Sequence, residues 1–186
     1  MTKEILIEVI EKLAKVCAKL KIKMVFMGGI AVNVYARPRT TYDVDGVILA
    51  EGKRMDKLLS ALKESGFSYD KKAPVKFIQG MPFVTLVYSK LKTYVDLFIA
   101  RSDFQLGLIK RAKKVKFGRI SINIIAPEDL IAAKLKSGRE RDTEDVREII
   151  LENTRTLDFK YLRGLAKKLN VDIFLKDELK SLGIRG

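Results

Sequence analysis

Met27-Gly28-Gly29-Ile30, Arg39-Thr40-Thr41-Tyr42-Asp43-Val44-Asp45 and Tyr94-Val95-Asp96-Leu97, in that order along 186 residues, decide how this chain reads. Side chains two apart on a strand point to the same face, so Asp43 and Asp45 can converge on one cation. A third carboxylate, Asp96, from a neighbouring strand would complete an oxygen-ligand set suited to Mg2+ or Mn2+. Two glycines opening a helix leave backbone N–H groups unobstructed for phosphates. Singly, an Asp-x-Asp pair is also a turn signal and a glycine pair also a tight connection. The ordered set describes a phosphoryl-transfer site. Asp96 adds an independent sign, because it interrupts an apolar strand where a carboxylate costs stability unless paired or bound to metal.

Composition narrows the chemistry. The chain has no histidine and one cysteine, Cys17, which excludes Ser-His and Cys-His catalysis and leaves no zinc site. Cys17 falls in an apolar stripe at helical spacing with Val9, Ile10, Leu13, Val16 and Leu20, so it reads as core filler. No run of about eighteen apolar residues predicts a membrane span. Glu4, Glu8 and Glu11 interrupt the N-terminal apolar positions, which argues against a signal peptide and for a cytoplasmic protein. The formal charge of +14 favours a polyanionic partner, with nucleic acid first. A lysine-rich surface of a heat-adapted protein is the competing reading, although heat adaptation adds both signs of charge.

The periodicities predict helix 3–20, strand 23–27, a helix from Ile30 that stops near Pro38, and strand 43–49. Helix 53–64 follows, with Gly66 just past its end as a cap. Next come a Lys- and Pro-rich loop (69–76) and strands 83–88 and 93–99, linked as a hairpin through Ser89-Lys90-Leu91-Lys92. A second hairpin turns near Val115–Arg119 and runs on to Ile125. Gly46 stands where an apolar strand residue is more usual, so a bend or bulge is expected there. From Pro127 the pattern is helical, with Pro127 at a first helical position and Asp158 as an N-cap. The expected class is α+β: a mixed sheet covered by helices (1–126) and a helical C-terminal part (127–186) packed on it.

These motifs resemble the DNA polymerase β superfamily of nucleotidyltransferases, and more closely the AbiEii-type toxins and related minimal nucleotidyltransferases. The resemblance rests on Gly28-Gly29, then Arg39, Thr41, Asp43 and Asp45, then Asp96. A second matching segment comprises Pro127-Glu128-Asp129-Leu130, Lys134, Arg139 and Arg141-Asp142-x-x-Asp145. It implies a polymerase β-type fold and transfer of a nucleoside monophosphate from a nucleoside triphosphate, such as ATP, to a hydroxyl. Asp43, Asp45 and Asp96 would hold two ions about 3.5–4 Å apart. Gly28, Gly29 and Thr41 would lie at the nucleotide, and Arg39 and Lys134 would neutralise phosphate charge, Lys134 as a catalytic residue and Asp142 as a nucleotide contact. Lys134, among Ile131, Ala132, Ala133 and Leu135, can equally be a snorkelling surface lysine. Asp142 and Asp145 can equally be helix N-terminal charges or ion-pair with Arg139 or Arg141.

The acceptor is read from charge. RNA, such as a tRNA 3′ end, comes first, with Lys110–Lys116 and the set Lys160, Arg163, Lys167 and Lys168 as candidate backbone contacts. Nucleotidylation (AMPylation) of a partner toxin within a toxin–antitoxin pair is the second enzyme reading. Modification of a small hydroxylated molecule is the third, and the net charge argues against a cationic antibiotic. A non-catalytic nucleotide- or partner-binding module is opposed by the intact aspartates.

Overall fold

The computed structural model describes residues 3–78, 80–88 and 93–184. The chain folds as two compact units, one of Met1–Ile30 and Thr40–Ile125, the other of Ala31–Arg39 and Ala126–Gly186.

The first unit is built on a mixed sheet of eight strands: β1 (Met24–Met27), β2 (Asp43–Ile48), β3 (Phe67–Tyr69), β4 (Lys76–Ile78), β5 (Met81–Tyr88), β6 (Thr93–Ile99), β7 (Lys113–Phe117) and β8 (Ile120–Ile124). Their order is β3-β5-β6-β2-β1-β8-β7, with β4 also on β5. β2 runs antiparallel to β1 but parallel to β6, which brings Asp43 opposite Tyr94 and Asp45 opposite Asp96. Alternation fixes the two faces. Val84, Leu86, Val95, Leu97 and Ile99 are buried, while Thr85, Tyr94 and Asp96 between them are partly or fully open.

The buried face carries α1 (Lys3–Lys19) and α3 (Lys53–Glu64), which pack on each other. The predicted stripe on α1 is confirmed, with Val9, Ile10, Leu13 and Cys17 buried. Met55, Leu58, Leu59 and Leu62 form the inner face of α3, each contributing about 1.5–3 kcal/mol of burial. The Tyr88 hydroxyl donates to Glu8 Oε1 at 2.7 Å, tying α1 to β5. Gly66 stands just past α3 with φ 95°, as expected of a left-handed residue after a helix end.

Three elements depart from the sequence reading. Neither β3 nor β4 has a usable apolar pattern, and β4 is wholly exposed; both are held by ladder hydrogen bonds to β5. Helix α4 (Asp103–Arg111) is started by a capping box, Ser102 accepting from Gln105 N while Gln105 reaches back to the Ser102 amide. Gly46 does not bulge, and its pairing runs on through Phe26 on one side and Leu97 on the other. A Cβ there would lie 2.9 Å from Met24 Cε and 3.3 Å from the Val25 carbonyl, so close packing rather than a bend favours glycine. The β5–β6 pairing is antiparallel as expected; the linking residues 89–92 lie outside the described residues.

The second unit is helical: α5 (Pro127–Ser137), α6 (Glu140–Asn153), α7 (Phe159–Lys168) and α8 (Asp172–Ser181), with residues 31–39. Those residues supply the end of α2 (Gly28–Tyr35) and the segment after it. Asn153 Nδ2 donates to the Tyr35 carbonyl at 2.6 Å, and Asn33 makes reciprocal bonds with the Arg39 backbone at 2.8 Å. Pro127 opens α5 and Asp158 caps α7 by accepting from Tyr161 N, both as predicted. Among the described residues no helix is long and apolar enough to cross a membrane.

Candidate active site

The sheet places the sequence-predicted aspartates together on the less covered face of the first unit. Asp43 and Asp45 sit two apart on β2 and Asp96 lies level with Asp45 on β6. Asp43 is exposed and Asp45 and Asp96 are half-buried, so solvent and ligands reach them. Thr41 Oγ1 donates to Asp43 Oδ1 at 3.0 Å, and Thr85 Oγ1 donates to Asp96 Oδ1 at 2.7 Å. Each hydroxyl fixes one carboxylate oxygen and leaves the other for a ligand. Among the described residues no three His, Cys, Asp or Glu side chains are gathered closely enough to hold a metal as they stand. The donor set itself, carboxylate oxygens on two adjacent strands, matches the preference of hard cations.

Gly28 and Gly29 pack directly on this group. Gly28 has φ 62°, and a Cβ there would overlap Asp45 Oδ2 and come within 2.9 Å of Asp45 Cγ. A Cβ on Gly29 would lie 2.5 Å from Thr41 Oγ1 and 2.8 Å from Thr41 Cβ. The two glycines therefore do more than free backbone N–H groups at the start of α2: their missing side chains are the space that Asp45 and Thr41 occupy. The structure thus brings together Gly28, Gly29, Thr41, Asp43, Asp45 and Asp96.

Arg39, Lys134 and Asp142 belong to the second unit, where Arg39 and Lys134 meet at Asp145 and Asp142 pairs with Lys134. Gly138, with φ 64°, ends α5 and lets the chain reverse so that the start of α6 returns beside Lys134. Lys134 Nζ donates to Asp142 Oδ1 at 2.6 Å and to Asp145 Oδ2 at 2.7 Å. Arg39 grips both oxygens of Asp145, Nε to Oδ1 at 2.8 Å and Nη2 to Oδ2 at 2.6 Å, a bidentate fork. Ser137 Oγ donates to Asp142 Oδ2. Lys134 is only 7% exposed, so the snorkelling reading is corrected: two carboxylates hold its ammonium group inside the fold. The ion-pair reading of Asp142 and Asp145 holds in kind, with Lys134 and Arg39 as the partners found. Burial alone would raise the Asp145 pKa, but the hydrogen bonds and charges of Arg39 and Lys134 outweigh it and hold the carboxyl below its usual range.

Sequence reasoning missed Thr85. Its only trace is a threonine at an alternating position of an apolar strand, and the β5–β6 register that sets it opposite Asp96 is not written in either segment. Cys17 is confirmed as core: burial pushes its thiol pKa up to about 12, which leaves no thiolate for chemistry.

A family model described as "nucleotidyltransferase of unknown function (DUF6036)" matches residues 4–185. No curated protein sequence matches the chain. Among solved structures, it is similar to ANT(2″)-Ia in complex with adenylyl-2″-tobramycin, at 14% identity and TM-score 0.61, covering 88% of this chain and 96% of that one. It is also similar to a putative nucleotidyltransferase from Thermotoga maritima, at 18% identity and TM-score 0.55, covering 82% and 96%. The lincomycin-bound lincosamide antibiotic adenylyltransferase LnuA follows at 17% identity and TM-score 0.53, covering 76% and 94%. At these identities the likeness is one of fold.

Proposed function

The chain belongs to the DUF6036 family of nucleotidyltransferases, and we propose that it moves a nucleoside monophosphate from a nucleoside triphosphate to a hydroxyl of RNA. The observation that carries the transfer reaction is the packing of Gly28, Gly29 and Thr41 against Asp43 and Asp45, with Asp96 level on the next strand. Asp43, Asp45 and Asp96 would hold Mg2+ or Mn2+, which when bound supplies Lewis-acid polarisation of the triphosphate and charge neutralisation. The Gly28 and Gly29 amides orient the phosphates. Asp96 Oδ2, left open while Thr85 occupies Oδ1, takes the proton of the attacking hydroxyl. A bond forms from that oxygen to the α-phosphorus, the bond to the β-phosphate oxygen breaks, and pyrophosphate leaves.

ATP is the first donor to test, since two of the similar structures are described by adenylyl transfer or an adenylylated ligand. The +14 charge favours an RNA acceptor and disfavours a cationic small molecule such as tobramycin. The AbiEii-type likeness, and with it a place in a toxin–antitoxin pair, rests on the sequence motif. So do the nucleotide roles of Arg39, Lys134 and Asp142, whose charges are committed to one another and to Asp145.

The test is label transfer from α-labelled ATP, CTP, GTP and UTP with Mg2+ or Mn2+, offering total RNA, total protein and an antibiotic panel. Label in RNA that disappears in Asp43→Ala/Asp45→Ala supports the proposal. Aspartate-dependent label in protein or antibiotic instead overturns the RNA acceptor while keeping the transfer reaction.

A further inference from the structure

In-line displacement assigns sides to the candidate site, because the leaving pyrophosphate and the attacking hydroxyl stand on opposite sides of the α-phosphorus. Gly28 and Gly29, packed against Asp45 and Thr41, mark the phosphate side. The acceptor then lies on the other side of β2, over β6 and β5, where Asp96 stands opposite Thr85. That part of the sheet face is apolar and aromatic. Tyr94 comes two residues before Asp96, about 6–7 Å along the same face, and stands between Asp43 on β2 and Val87 on β5. Phe98, two residues after Asp96, is stacked on Phe83 with ring centroids 5.6 Å apart. β6 lies inside the sheet, between β5 and β2, yet Tyr94 is 57% exposed. Tyr88 and Tyr161 give their hydroxyls to Glu8 and Asp129. Among the described residues, Tyr94 has neither a hydrogen-bond partner for its hydroxyl nor another ring against its own. Asp96 is the one charged residue in β5 and β6, and the next charge outward is Lys76, opposite Phe83 on β4. A cationic sugar finds no counter-charge here beyond the carboxylates assigned to the metal. A flat uncharged ring finds an open ring face beside the group that takes the proton.

We propose that Tyr94 is an acceptor-binding residue: the base of the RNA's terminal nucleotide stacks on its ring, which brings that nucleotide's hydroxyl to Asp96. This deepens the RNA-acceptor reading and rests on it. Every base has a π-face, so the contact tolerates any terminal base, and the ring rather than the hydroxyl of Tyr94 supplies it. Phe77, on the edge strand β4, is 64% exposed and serves as the comparison, an equally open ring away from the aspartates.

The experiment measures, by fluorescence anisotropy, binding of two 5′-labelled oligoribonucleotides that differ only at the 3′-terminal nucleotide. One carries a base there, and the other is abasic with its ribose hydroxyls kept. Mn2+ and a non-hydrolysable ATP analogue are present. The proteins are wild type, Tyr94→Ala, Tyr94→Phe and Phe77→Ala, each verified as folded by circular dichroism. Wild type is expected to prefer the base-ended RNA by about tenfold, and Tyr94→Ala to bind both RNAs alike. Tyr94→Phe and Phe77→Ala are expected to keep the preference to within about twofold. A preference that survives in Tyr94→Ala, or is lost in Tyr94→Phe, overturns the proposal, as does a wild type that does not distinguish the two RNAs. A second titration compares the ATP analogue with inorganic tripolyphosphate, and Tyr94→Ala is expected to bind each as wild type does. Weaker analogue binding with tripolyphosphate binding kept would assign the ring to the donor's base and overturn the acceptor assignment. Label transfer by the wild type keeps the two readings apart. Absence of label in RNA removes the RNA acceptor and the proposal with it, whereas labelled RNA together with a base preference independent of Tyr94 overturns the proposal alone.

Discussion

Asp45 occupies the space that a side chain on Gly28 would need: a Cβ at position 28 would overlap Asp45 Oδ2 and lie 2.9 Å from its Cγ. The turn into α2 and the carboxylate on β2 are therefore one packing unit. Gly28→Ala must displace Asp45 and also place alanine at φ 62°, which costs about 1–2 kcal/mol of backbone strain. The expected outcome is a folded protein, melting several degrees lower, whose nucleotidyl transfer falls by about a hundredfold or more. Activity within threefold of wild type would show that Asp45 needs no fixed position.

Thr85 is expected to act through Asp96. Its hydroxyl holds Asp96 Oδ1 at 2.7 Å, so Thr85→Val removes that donor without changing side-chain size. Transfer should drop by about tenfold, with a higher Mg2+ concentration for half-maximal rate, and Thr85→Ser should restore both. An unchanged metal dependence in the valine variant would make Thr85 structural only.

Gly46 tests the packing account of β2. Gly46→Ala meets mainly the flexible end of Met24 at 2.9 Å and is expected to cost about 1 kcal/mol, whereas Gly46→Val reaches the Val25 carbonyl and Leu97 and should cost about 1–3 kcal/mol. Urea melts of the two variants check the ordering. Equal stability for glycine, alanine and valine would contradict close packing at this position.

The charge cluster of the second unit sets an acid limit. The Asp145 carboxyl is held below its usual range in the fold, against about 3.9 when unfolded, so its stabilisation is complete above roughly pH 4. It is lost as pH falls through the lower folded value. Asp145→Asn leaves Arg39 and Lys134 without their shared counter-charge, and with Arg39 partly solvated the expected loss at pH 7 is about 2–3 kcal/mol. Melts from pH 7 downward should show the gap between wild type and variant constant to about pH 4 and narrowing only below it. A gap that stays constant with pH would exclude the carboxylate as the titrating group.

How much of this was legible in the sequence depends on whether the signal is local. The helix at 53–64, the cap at Asp158 and Pro127 at a helix start are encoded in a few consecutive residues, and they appear as read. The pair Asp43 and Asp45 is likewise local, and the motif order joins it to Asp96. Thr85 and the steric bond between Gly28 and Asp45 depend on strand register across the sheet, which no single segment carries. β4 is exposed on every residue, so no hydrophobic period marks it. Helix α4 did leave a local mark, the capping box of Ser102 and Gln105, ahead of the basic residues that begin at Lys110. Lys134 shows the limit of composition: a lysine among apolar residues reads as surface until its two carboxylate partners, eight and eleven positions on, are folded back onto it.

Asp43, Asp45 and Asp96 would together hold a divalent cation for a nucleoside triphosphate. Mn2+ titration followed by electron paramagnetic resonance, with and without a non-hydrolysable ATP analogue, measures it without reference to any acceptor. Nucleotide is expected to tighten Mn2+ binding by the wild type, and Asp45→Asn and Asp96→Asn are each expected to weaken it at least tenfold while the fold persists. Mn2+ binding in both variants equal to that of the wild type would contradict it.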